Sequence, residues 1–338
     1  MKVNKIELQN ALEIVKPGLA NKELIEQSTS FAFMSGRVVT YNDEISISHP
    51  IKGLELEGAV KADRLYAFLA KIKKEEVELT IDKKEILITS GRSHAGLTLH
   101  QEIKLPLDEE EVTQHGKWFL LPSTFLKFMA FAVSSCTTSN NDPILKSVHV
   151  NQQGFLEASD NQRITRCELG EEMPIETFLI PAGSVIDMLR LKPTKIAEGK
   201  GWVHFKTVQG TIISCRVLED EFPKTAKMLN VKGVRLILPK IIDSVLDRAG
   251  VFAKRDHVLD ESITITLEKG KLIISSEADS GWFEEEVPMK YEGTSITFNI
   301  TPYLLRSILS ETNACELTEN KLKFEGEGWV YIARLRND

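Results

Sequence analysis

The chain has 338 residues, 42% of them hydrophobic and 27% charged, with a formal net charge of −7 at pH 7. That is an ordinary globular composition with room for two or three domains, and its acidity taken alone argues against a nucleic-acid partner. The longest apolar run near the middle, Phe128 to Val133, is far short of a membrane span of ~20 residues. The N-terminal MKVNKIELQN lacks the apolar core of a signal peptide, and Cys136, Cys167, Cys215 and Cys315 stand far apart without a CxxC. A disulfide framework and a zinc site are thereby set aside, and a reducing cytoplasm is the expected location.

In chain order, a helix is predicted over Ile6–Lys16 and a second over Lys61–Lys74, followed by strands at Glu76–Ile81 and EILITS. A third helix is predicted over Leu121–Ser135, where Phe125, Phe128, Met129 and Ala132 fall at helical spacing. Ser147–Ser159 reads as strand, turn, strand around Gln153-Gly154. A fourth helix is predicted over Pro181–Lys192, then a strand at TIISCRV and a fifth helix over Leu238–Asp256. Ile263–Ser276 repeats the hairpin pattern around Lys269-Gly270, and a sixth helix over Thr301–Thr312 precedes the strand LKFEG. Pro122 and Pro239 sit at helix starts, where proline is tolerated.

The pattern of helix, strands, helix, strands thus recurs three times, each time over about 110 residues. Breaks fall near the acidic stretch Asp108–Gly116 and near Lys227–Gly233. The expected architecture is α+β, with repeated domains at 1–115, 116–228 and 229–338, each placing two helices on antiparallel sheets.

The six helical segments hold 14 basic and 8 acidic residues, a charge of +6 that leaves −13 for the remainder. Cations gathered on one set of elements suit a protein that surrounds a polyanion, with an acidic exterior that discourages other contacts. The same bias arises where Lys and Arg favour helices and their C-terminal turns.

Several stretches together resemble the bacterial β sliding clamp over essentially the whole chain. They are LPSTFLKFMAFAVS, DPILKSVHV, LEASDNQRITRCEL, RVLEDEFPK, ITSGRSHAGLTL, LDRAGVFAKRD and ITITLEKGKLIISSEADSGWFEEEVPMKYEG, in that family's order and spacing except that the ITSGRSHAGLTL stretch comes first. The resemblance implies a head-to-tail homodimer that closes into a ring, with helices lining the hole and sheets outside. It implies sequence-independent encirclement of double-stranded DNA, and recruitment of a replicative DNA polymerase, a clamp loader and other proteins bearing a clamp-binding motif. No cofactor, no membrane and no catalysis are implied.

Site residues carry over by position. The implied dimer contact places Arg64, Arg92 and Leu97 of the first repeat against Val251, Phe252 and Glu284, Glu285 and Glu286 of the third. The acidic run reads equally as a solvated strand end, and Phe252 as core. The implied partner-peptide pocket gathers Leu145, Ser159, Asn161, Arg163 and Ile164 with Pro223, Met228, Val330 and Ile332. Met228 suits an adaptable binding surface, while Leu145, Ile164 and Val330 also read as ordinary core. Implied DNA contacts are Lys22, Lys71, Lys73, Lys74, Lys127, Ser139, Asn140, Asn141, Arg190, Lys192 and Arg248. For Lys71, Lys73 and Lys74, charge matching at a helix C-terminus is the other reading.

Two departures stand out. Asn161-Gln162 replaces a Gly-His pair in the family's TDGHR-like turn, and the ending IARLRND replaces one with proline and methionine. Such changes fit a divergent member, for instance one carried by a phage or mobile element.

Enzyme signatures are missing: no GxxxxGK[ST], HExxH or GxSxG occurs, His94 and His100 are the only close histidine pair, and Ser159-Asp160-Asn161 has no SxxK or KTG beside it. The alternative to a DNA clamp is a structural or assembly protein built from the same repeat, without DNA tethering.

Overall fold

The structure, a computed structural model, describes residues 1–107, 117–137 and 142–336. Among these residues the element order repeats three times as strand, helix, four strands, helix, three strands. The first repeat comprises β1 (Lys2–Asn4), α1 (Lys5–Val15), β2 (Ser30–Met34), β3 (Arg37–Tyr41), β4 (Ile45–Pro50), β5 (Gly58–Lys61), α2 (Ala62–Lys71), β6 (Glu76–Asp82), β7 (Glu85–Ser90) and β8 (Ser93–Thr98). The second comprises β9 (Phe119–Leu120), α3 (Phe125–Val133), β10 (Ser147–Asn151), β11 (Phe155–Ser159), β12 (Arg163–Glu168), β13 (Phe178–Pro181), α4 (Ala182–Leu191), β14 (Lys195–Gly199), β15 (Trp202–Lys206) and β16 (Ile212–Arg216). The third comprises β17 (Val234–Ile237), α5 (Ile242–Ala253), β18 (Ile263–Glu268), β19 (Lys271–Ala278), β20 (Gly281–Pro288), β21 (Ile296–Ile300), α6 (Pro302–Leu309), β22 (Ala314–Leu317), β23 (Lys321–Gly326) and β24 (Trp329–Arg334). One turn of helix, Ala226–Leu229, lies between the second and third repeats.

The chain groups into two compact bodies, Met1–Ala130 with Met173–Asp220 and Phe131–Glu172 with Glu221–Asp338. The first body holds a sheet in the order β1-β6-β7-β8 and an eight-stranded sheet in the order β5-β2-β3-β4-β16-β15-β14-β9. Antiparallel pairing of β4 with β16, with Ile47 opposite Ile213, joins strands of two repeats in that larger sheet. The second body holds seven strands in the order β10-β11-β12-β24-β23-β22-β17, and a sheet in the order β20-β19-β18-β21. Here β12 pairs with β24, so that Ile164 faces Ile332.

All six predicted helices and the strands named from the sequence are present, with ends set by local chemistry. Asn4 caps α1: its Oδ1 accepts from the amides of Ile6 at 2.9 Å and Glu7 at 3.1 Å, satisfying two otherwise orphaned donors. Leu8, Ala11, Leu12 and Val15 then form its buried stripe. The segment Leu121–Ser135 becomes helical only from Phe125, whose amide bonds the Pro122 carbonyl at 3.0 Å. Likewise α5 starts at Ile242, its amide 3.0 Å from the Pro239 carbonyl.

The second helix is shorter than Lys61–Lys74. It stops at Lys71 because Ile72 turns extended (ψ 130°) to bury its side chain, so Lys73 and Lys74 lie beyond the helix. The β10–β11 turn requires glycine at 154, with φ +85° and a Cβ position 2.1 Å from the Glu171 carbonyl oxygen.

Candidate functional site

In the second body, the turn between β11 and β12 is built from its own side chains. The Asp160 carboxylate accepts from the amides of Gln162 at 3.0 Å and Arg163 at 2.9 Å. Ser159 donates to the Arg163 carbonyl at 2.8 Å and accepts from the Asn161 amide at 3.2 Å. Asn161 takes φ +70°, in the left-handed region that glycine and asparagine tolerate best. The substitution of asparagine for the expected glycine therefore leaves the backbone of the turn intact.

Arg163 is buried and ties this turn to two helices. Its Nε donates to Asp160 at 3.0 Å, its Nη1 to the Ser307 hydroxyl at 3.2 Å, and its Nη2 to the Tyr303 hydroxyl at 3.2 Å and to the Ser134 carbonyl. Burial works against its charge, but the opposing Tyr331, Asp160 and Tyr303 oxygens outweigh that effect and hold the guanidinium charged beyond the usual arginine range.

Beside this turn lies a cavity of about 350 Å³ lined by Asn161, Gln162, Arg163, Ile164, Met228, Asn320, Lys321, Ile332 and Arg334. Ile164 and Ile332, directly opposite on β12 and β24, make its apolar floor. Five of the nine residues proposed from the sequence, Asn161, Arg163, Ile164, Met228 and Ile332, converge here. The other four lie outside the lining: Leu145 is buried core, Ser159 is used in the turn, Pro223 is exposed, and Val330 is partly buried two positions along β24 from Ile332.

Gln162, Asn320, Lys321 and Arg334 line the cavity and were not anticipated. Lys321 and Arg334 stand on β23 and β24, and their meeting depends on the register of those two strands.

Met228 is carried by a strap, residues 221–229, that crosses this sheet face. Phe222 stacks on His149 with centroids 5.1 Å apart and planes 8° from parallel. Thr225 donates to the buried carboxylate of Glu157, which also meets His149 at 3.3 Å and Arg166 at 3.5 Å. The cross-strand register puts His149, Glu157 and Arg166 side by side on β10, β11 and β12. The strap thus has an aromatic and a hydrogen-bonded anchor ahead of Met228.

Of the residues proposed for a dimer contact, Arg92 and Leu97 lie at one sheet margin and Glu284, Glu285 and Glu286 at another, while Arg64 on α2 pairs with Asp63 at 3.7 Å. Arg92 is exposed in the turn before β8, the edge strand that carries partly buried Leu97; Arg64 is exposed on α2. Lys74 lies beside this turn, its Nζ 2.7 Å from where a Cβ on Gly91 would stand. In the second body β20 is an edge strand and carries Glu284, Glu285 and Glu286. Glu285 is gripped by Arg248 through two bonds of 2.8 and 2.7 Å, a contact that draws its carboxyl below the usual range. Glu286 pairs with Lys271 at 2.8 Å, whereas Glu284 is exposed. Val251 is 69% exposed, Trp282 72%, and Phe252 packs partly buried against Gly281.

Of the residues proposed for DNA, Lys22, Lys71, Lys73, Lys74, Lys127 and Lys192 are exposed and make no ion pair among the described residues. Arg190 pairs with Asp187 at 3.2 Å, and Arg248 is committed to Glu285. Ser139, Asn140 and Asn141 lie outside the described residues. On α5 and α6, Arg306 is shared between Asp243 and Asp247 at 3.2 and 2.6 Å, so the third repeat presents less free positive charge than its helix count of cations implies.

Among the described residues no group of three His, Cys, Asp or Glu side chains could hold a metal, and no helix is long and apolar enough to cross a membrane. All four cysteines are buried thiols; burial pushes that of Cys136 up to about 12.

No protein-family profile matches the sequence, and no curated protein matches it either. Solved structures do match, along the whole chain. The DNA polymerase III subunit beta of Pseudomonas aeruginosa superposes with a TM-score of 0.87 at 16% identity, covering 100% of both chains. The DNA polymerase sliding clamp of Bacillus subtilis gives 0.84 at 18%, covering 100% of this chain and 98% of its own. The DNA polymerase III beta subunit of Thermotoga maritima gives 0.82 at 18%, covering 100% and 99%. The chain therefore has the fold of the bacterial β sliding clamps.

Proposed function

We propose that this chain is a DNA sliding clamp: two copies close head to tail around duplex DNA and tether a replicative polymerase. The observation that carries this reading is the match in fold to DNA polymerase clamps over the entire chain, at a TM-score of 0.87. The threefold element order supports a division into domains 1–115, 116–228 and 229–338. The unpaired lysines 22, 71, 73, 74, 127 and 192 supply sequence-independent attraction for phosphate, which a protein that must slide needs in place of base contacts. Arg190 and Arg248 are weaker candidates, because each already has a carboxylate partner.

Two features support the dimer. Strands β8 and β20 are sheet edges, and an unpaired edge is a template for another strand. Arg92 and the neighbouring Lys74 beside one edge complement Glu284 on the other, around Leu97, Val251 and Phe252, while Arg64, Glu285 and Glu286 would exchange the partners they now have in Asp63, Arg248 and Lys271. Such a head-to-tail contact is heterologous and makes a ring if its rotation closes.

The cavity floored by Ile164, Ile332 and Met228 is the proposed dock for linear peptides of the polymerase, a clamp loader and other partners. An apolar floor with a few polar groups at the rim is what such a pocket needs. The protein has no catalytic role in this reading.

Native mass spectrometry and retention on circular DNA test it together. The expected outcomes are a species of twice 38.0 kDa and, after loading, retention on nicked circular DNA that ends on linearisation. A monomer at all salt concentrations, or retention indifferent to linearisation, refutes encirclement and leaves the assembly-protein alternative.

A further inference from the structure

The outer face of the β11-β12-β24-β23-β22-β17 strands is charged, and nearly every charge on it is matched. Glu157 meets His149 and Arg166, Arg166 also holds Glu168 at 2.8 Å, Lys323 holds Glu325 at 2.6 Å, and Arg235 holds Glu316 at 3.3 Å. Lys321 and Arg334 break the pattern. They stand directly opposite one another on β23 and β24, and among the described residues neither has a carboxylate within ion-pair reach. Like charges facing across a strand pair destabilise a sheet, so the arrangement is not explained by folding.

Both side chains line the cavity, and among the described residues no Asp or Glu does. The third cation of the lining, Arg163, is already neutralised by Asp160. Ile332 lies two residues from Arg334 on the same strand face, hence about 7 Å away.

We propose that this pocket selects an acidic peptide, with an apolar side chain seated on Ile164, Ile332 and Met228 and a neighbouring carboxylate bridging Lys321 and Arg334. The inference rests on the peptide-docking reading of the cavity and adds the chemistry of its partner. The spacing asks for an aspartate or glutamate one or two residues from the apolar anchor. Arg334 belongs to the C-terminal segment that departs from the resembled family, so the preference belongs to this chain's own residues.

The test uses the full-length protein and two fluorescent peptides, Ac-Ala-Asp-Leu-Phe-Asp-Ala-NH2 and its Asn-for-Asp twin. Anisotropy titrations at low salt are expected to favour the acidic peptide about fivefold, the order expected of a partly exposed ion pair. In the K321M/R334M double variant, the acidic preference is expected to vanish, so that both peptides bind alike. Equal binding of the two peptides to wild type, or an acidic preference that survives in K321M/R334M, overturns the proposal while the pocket stands. Binding of both peptides that is indifferent to I332D, or absent at millimolar concentration, overturns the pocket reading and the proposal with it.

Discussion

Replacing Arg163 by methionine probes the joint on which the candidate pocket is built. Methionine fills most of the volume, so the loss is chiefly polar. It removes a charge-assisted bond to Asp160, a bond to the Ser134 carbonyl, and weaker bonds to Ser307 and Tyr303. Both members of the ion pair are only 2% exposed at the side chain, so the cost is not discounted for solvent. Breaking a buried pair by deleting one partner typically costs about 3–5 kcal/mol. Asp160 keeps its two backbone donors, which places Arg163→Met near the lower end, at about 3 kcal/mol. Urea unfolding followed by circular dichroism measures it. Adding Asp160→Asn removes the stranded charge, so the double variant should recover at least about 1 kcal/mol relative to the sum of the singles. A loss below about 1 kcal/mol for the single change, or strict additivity in the double, refutes the assignment of Arg163 as the paired centre of this joint.

Three other changes probe neighbouring claims. Thr225→Val leaves the buried Glu157 carboxylate short of a donor and should cost about 1–3 kcal/mol, with faster proteolysis confined to the strap, while Thr225→Ser stays near wild type; equal protease sensitivity of the Val and Ser variants argues against the anchor. Asn161→Gly should fold as wild type, and Asn161→Val should lose about 1–2 kcal/mol at its left-handed backbone position, read from the denaturation midpoint. Arg248→Ala should raise the Glu285 titration midpoint observed by carboxyl-carbon NMR, because the arginine now holds it down. The pair stabilises the fold above the ordinary glutamate pKa of about 4.3, and this is lost as pH falls through the depressed folded value; an unmoved midpoint contradicts the contact.

The elements were legible because each carries its own local signal. Alternation around Gly154 and Gly270 marks two hairpins, and the Leu8-Ala11-Leu12-Val15 stripe marks α1 without reference to anything distant. Helix ends were less legible. Whether Ile72 continues α2 or turns away to bury itself depends on what it packs against, so Lys73 and Lys74 read as helical when they are not. The joints of the site were hidden for a further reason. Arg163 meets Tyr303 and Ser307 across 140 and 144 residues, and Thr225 meets Glu157 across 68. No periodicity records such separations. In sequence, buried Arg163 also looks no different from partly exposed Arg166 three positions on, which packs over the Phe155 ring at 3.7 Å instead.

Charge was legible as a sum and not as a distribution of free charge. The helical segments hold more cations than anions, yet Arg190, Arg248 and Arg306 are each held by carboxylates, two of them by acids within their own or the adjacent helix. An ion pair that is already closed offers a phosphate little, since attraction by the cation is offset by repulsion from its partner acid at nearly the same distance. Attraction for a polyanion over the range of a Debye length, about 8 Å at physiological salt, comes from unpaired cations. These include Lys22, Lys71, Lys73, Lys74, Lys127 and Lys192, all in the first body. If the clamp reading holds, substituting these lysines should lower DNA retention far more than substituting the three arginines, and should flatten its salt dependence by about one unit of slope for each phosphate no longer neutralised. Equal effects of the two sets, measured on nicked circles across a salt series, would mean that total charge rather than free charge governs the attraction.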